Sequence, residues 1–71
     1  MQRDALYDEL RRIERAVVDG EWKLAQQEAQ IVELKRQHLD LNKAQGELER
    51  LRANQRQLEQ DRQRLLSMLQ P

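Results

Sequence analysis

One histidine, one serine, one tyrosine and no cysteine are all that this chain offers for nucleophilic or proton-relay chemistry. A Ser-His-Asp or Cys-His arrangement therefore has almost nothing to draw on. His38 and Asp40 stand close enough in sequence to supply two metal ligands, but a closed site needs more. Ser67 is expected at the far end of the folded chain from His38. There is no phosphate-cradling glycine loop and no pair of cysteines or histidines at metal-ligand spacing. These readings predict no enzyme, no metal and no cofactor.

The charged residues point elsewhere. Arg11, Arg12 and Arg15 form one basic cluster, and Arg50, Arg52 and Arg56 form another. Clusters of this kind serve nucleic-acid binding, and an accessory role on nucleic acid through Arg11, Arg12 and Arg15 is the alternative function. Carboxylates interrupt both clusters, however, and no aromatic residues are interleaved to stack on bases. With 13 basic and 13 acidic residues the formal net charge is zero, so no long-range field draws phosphates or anionic lipids to the whole molecule. No apolar run approaches the ~18 residues of a membrane span, and Met1-Gln2-Arg3-Asp4 is not followed by a signal-like apolar stretch. The expected setting is the cytoplasm, with no membrane partner.

The elements that carry these residues are helices. Leu6, Leu10, Ile13, Val17, Gly20, Leu24, Gln27, Ile31 and Leu34 recur at alternating spacings of four and three. A residue advances about 100° around an α-helix, so this spacing keeps one narrow face toward a partner helix. Gly20 can be read as a C-cap ending a short first helix. The register passes through it unbroken, which favours one continuous helix with Gly20 permitting close approach. Beyond Leu34 the phase changes to Ala44, Leu48, Leu51, Leu58, Leu65 and Leu69, as expected where one helix stops and another begins. Asp40 is the expected N-cap of the second helix, because its short side chain accepts from free backbone amides.

The predicted fold is all-α, an antiparallel two-helix hairpin in a single domain spanning residues 1–71. Helix one covers about residues 3–37, the turn about 38–41 and helix two about 41–70. A turn centred on Asp40 sets Gly20 opposite Leu58, Leu24 near Gln55, Gln27 near Leu51, Ile31 near Leu48, Leu10 near Leu69 and Val17 near Arg62. Gln27 and Gln55 fall at the interface, where they are expected to pair with each other or with water and so set register.

Helix one carries a second apolar line: Val18, Trp22, Ala25, Ala29 and Val32, continuing to Leu39. It is turned by more than a third of the circumference from the first stripe, so one partner helix cannot bury both. The hairpin leaves this face open, and burial against its own copy across a two-fold axis gives a four-helix bundle dimer. At 71 residues and without disulfides, a lone core supplies only roughly 3–5 kcal/mol, which adds a reason to associate. The expected partner is therefore a second copy; an unidentified protein could occupy the same face. The expected role is a protein–protein interaction or regulatory module.

Glu14-Arg15, Val17, Gly20-Glu21, Leu24, Gln27, Ile31 and Leu34, then Asp40, Ala44, Leu48, Gln55, Asp61-Arg62 and Arg64-Leu65-Leu66, form a pattern that resembles a group of short alphaproteobacterial helical proteins of unknown function. The resemblance is ungapped from about Glu14 to Leu69. In that group the turn usually reads Gly-x-Asp-Thr. Here it reads His38-Leu39-Asp40-Leu41, without the glycine or the threonine. An aromatic near Leu51 and a histidine near Leu58 are also replaced. The resemblance implies a helical hairpin continuous through Gly20, and it implies no activity.

Overall fold

A computed structural model of the chain describes residues 2–70, and these form two α-helices that pack against each other. Helix α1 runs Gln2–Arg36 and α2 runs Asn42–Leu69. Among the described residues there is no strand. The pair measures 55 × 14 × 14 Å. Helix α1 passes through Gly20 without a break, so the continuous reading holds. Arg3 closes the open end by donating from Nη2 to the Leu69 carbonyl at 3.0 Å. A cation there also opposes the negative end of the α2 dipole.

Every residue of the first stripe from Leu6 to Leu34 is buried or half-buried, as are Ala44, Leu48, Leu51, Gln55, Leu58, Arg62, Leu65 and Leu69 on α2. The densest apolar packing lies at the open end, where Leu10, Leu65 and Leu69 are buried with Leu6, Ile13 and Leu66 against them. Elsewhere the core is thin. Among the described residues no large side chain is fully buried.

The turn is made by a residue that normally avoids such geometry. His38 has φ 57°, in the left-handed region, although it is not glycine. Its amide donates to the Lys35 carbonyl at 3.1 Å and the Leu39 amide to the Leu34 carbonyl at 3.0 Å. This pair of bonds is the Schellman closure of a helix C-terminus, which satisfies carbonyls that the helix itself leaves free. A side chain in this conformation costs about 1–2 kcal/mol. Asp40 is not the N-cap. That position is taken by Leu41, which makes no side-chain cap, while Asp40 Oδ1 accepts from the Asn42 amide at 3.0 Å from one residue further out. The chosen side chain thus does satisfy a first-turn amide, but through a local turn.

The register differs from the expected one by about one helical turn. Gly20 faces Gln55, not Leu58, and Glu14 lies beside Arg62, with Nε donating to Oε2 at 3.4 Å. Counting the turn as symmetric about Asp40 treats every connecting residue as if it rose like a helical one. Leu39 and Asp40 are not helical, and an extended residue advances roughly 1.8 Å further than a helical one. The second helix therefore starts further down the first. Several expected neighbours stay together despite the shift, Leu24 and Gln55 among them. Leu10 shares a cluster with Leu69, and Arg62 lines the groove beside Val17 with its guanidinium turned to the Glu14 carboxylate.

Gln27 and Gln55 lie at the interface as expected, but not paired with each other. Gln27 Nε2 donates to the Ala44 carbonyl at 2.9 Å, and Gln55 Nε2 to the Val17 carbonyl at 2.8 Å. Each glutamine crosses to the backbone of the facing helix. The Gln55 amide occupies the space over Gly20: a Cβ there would overlap its Oε1 and lie 2.9 Å from its Cδ. This is the close approach that the glycine permits.

Candidate interaction surface

The second apolar line of α1 stays on the outside of the hairpin. Val18 is 67% exposed, Trp22 61% and Val32 58%, and Ala25 and Ala29 are exposed between them. Leu39 extends the line to the turn and is exposed as well. Because α1 is uninterrupted through Gly20, these residues form one continuous strip rather than two offset patches. Beside Trp22 the strip opens into a shallow, mostly apolar groove bounded by Arg11, Glu14, Arg15 and Asp19.

Tyr7 was not read from the sequence as part of this line, yet it is exposed. It lies eleven residues before Val18, close to three whole helical turns, so the helical spacing carries the signal. Arg11, polar and between them, interrupts the apolar pattern.

Charged residues frame the strip on both edges. Arg12, Asp19 and Glu33 lie along one edge, all exposed. Glu14, Glu21, Glu28 and Lys35 lie along the other, which is the edge nearer α2: Glu14 reaches Arg62, and Glu28 lies 3.9 Å from Arg52.

The basic clusters are largely satisfied within the chain. Arg11 pairs with Asp8 and Arg12 with Glu9, one helical turn away. In the second cluster Arg50 pairs with Glu47 and Arg52 with Glu28. Among the described residues Arg15 and Arg56 have no carboxylate partner, and two free guanidinium groups on different helices make a poor phosphate track. Hydrogen bonding to Arg50 holds the Glu47 carboxyl below its usual range, and the same bond raises Arg50. The two groups lie on one helix face, Arg50 exposed and Glu47 half-buried, and form an ordinary i,i+3 pair.

His38 and Ser67 lie at opposite ends of the hairpin and are both exposed. Among the described residues, no group of three or more His, Asp and Glu side chains is placed to hold a metal ion. No helix formed by them is long and apolar enough to cross a membrane. The arrangement can therefore offer a partner an apolar strip with charged edges. No protein-family model, no curated protein and no solved structure matches this chain.

Proposed function

We propose that this chain is a small non-catalytic interaction or regulatory module of the cytoplasm, acting as a homodimer through Val18, Trp22, Ala25, Ala29 and Val32. The carrying observation is the exposure of Val18, Trp22 and Val32 on one continuous face of α1 in a hairpin with no fully buried large side chain among its described residues. Burying apolar surface is worth about 25 cal/mol per Å², and a thin core leaves much of that to be gained between molecules. Pairing two such faces gives a four-helix arrangement of two hairpins. The resemblance to short alphaproteobacterial helical proteins belongs to the same proposal, and it adds a hairpin without an activity.

Sedimentation equilibrium over a wide concentration range, on the natural chain and on Trp22→Glu, tests the reading. The natural chain should be a dimer and the variant a monomer that keeps its helical circular dichroism. A natural chain that remains a folded monomer at every concentration would remove self-association from the function.

A further inference from the structure

Which way the two copies run is also written on the exposed strip. We infer that two copies of this chain pair through α1 in antiparallel orientation, with Trp22 of each copy packed over the partner's Ala25. This rests on the self-association proposed above and specifies its geometry.

The first argument is size. In an antiparallel seam, setting Trp22 across from the partner's Ala25 determines every other layer. Val18 then meets the partner's Ala29, and the aliphatic stem of Arg15 meets the partner's Val32. The largest side chain lies against one of the smallest, and the next layer sets a medium side chain against a small one. A parallel, in-register pair would stack Trp22 on its own copy and leave Ala25 and Ala29 each facing another alanine. One layer would be overfilled and two left empty, and both errors are costly in close-packed interiors.

Charge supplies an independent argument. On the edge away from α2 the antiparallel register sets Arg12 beside the partner's Glu33, and on the other edge Glu14 beside the partner's Lys35. The two-fold axis makes each of these attractions occur twice. Glu21 meets the partner's Glu28, the one kind of like-charged contact on the edges, also made twice, and Arg52 already lies 3.9 Å from Glu28 to offset it. Past the apolar layers Arg11 faces the partner's Arg36; Asp8 pairs with Arg11, and Glu33 is shared between its own Arg36 and the partner's Arg12. A parallel pair would set Glu14 beside the partner's Asp19 and Glu28 beside the partner's Glu33. That places four acidic repulsions along the seam, which selects against it.

Three measurements test the geometry. Arg12→Glu should raise the dimer dissociation constant about tenfold, since two exposed attractions become repulsions. Adding Glu33→Arg in the same chain should bring it back to within about twofold of the natural value. The chain has no cysteine, so a nitroxide on Gln37→Cys labels a single site. In the antiparallel dimer the two labels lie about 40 Å apart along the helix axes, against about 20 Å or less in a parallel one.

An unchanged dissociation constant for Arg12→Glu, or labels within about 20 Å, overturns the antiparallel register; if Trp22→Glu still dissolves the dimer, the association surface stands. A folded monomer throughout, or a dimer that Trp22→Glu leaves intact, overturns the proposed function and the register together.

Discussion

At the open end of the hairpin Leu6, Leu10 and Ile13 meet Leu65, Leu66 and Leu69, whereas at its middle Gly20 meets the amide of Gln55. The first region contributes stability through apolar contact, which is non-directional and tolerates small slips of one helix along the other. The second gains less energy but is directional. The Gln55 amide reaches the Val17 carbonyl only where a glycine leaves room for it. A polar residue at a helix seam characteristically trades some stability for a defined register. The two regions thus divide the work: leucines hold the helices together and Gln55 says where.

The sharpest way to break the apolar half of this comparison is Leu65→Ala. Leu65 is 9% exposed at the centre of the leucine cluster, and truncating a buried leucine costs about 2–3 kcal/mol. In a hairpin this small that is most of the available stability. Urea unfolding followed by circular dichroism should show the loss, with protein concentration held constant because association adds a concentration-dependent contribution.

A smaller effect separates the two glycines. Gly46 has nothing within 4 Å of where a Cβ would sit, and Gly20 has Gln55. Gly46→Ala should therefore stabilise α2 by about 1 kcal/mol through helix propensity alone. Gly20→Ala gains the same propensity but displaces the Gln55 amide, whose hydrogen bond is worth about 1 kcal/mol, so its net effect should be near zero. In a Gln55→Ala background the full gain at Gly20 should appear. Equal stabilisation by the two single alanine variants would show that Gln55 does not hold the register.

The smallest expected effect comes from the surface. Arg50 lowers the folded-state pKa of Glu47, so the pair favours the folded state above the ordinary glutamate range. That contribution fades as the pH falls through the range toward the lowered value. Thermal melts between neutral and acidic pH should show the natural chain losing slightly more on acidification than Glu47→Gln. Solvent around this surface pair screens it and keeps the difference minor beside the two above.

Much of this architecture was legible in the residues. The four-three spacing from Leu6 to Leu34 identified the buried face position by position, Gly20 included, and the Val18 to Val32 line identified the exposed one. The change of phase after Leu34 located the turn. Three things were not legible. The expected register is off by about a turn, Gln27 and Gln55 bond to the facing backbone instead of to each other or to water, and Asp40 does not cap α2 directly. All three depend on how His38 enters the left-handed region and where that sets Leu41.

Which face of each helix is buried follows from periodicity, a property of one stretch of chain, and the order of side chains along the chain is enough to determine it. Which residue of α2 lies against which residue of α1 is another matter. It depends on the height lost in a few non-helical residues and on a glutamine finding a carbonyl across the seam. Those are relations between segments distant in sequence, and only the folded pair of helices supplies them.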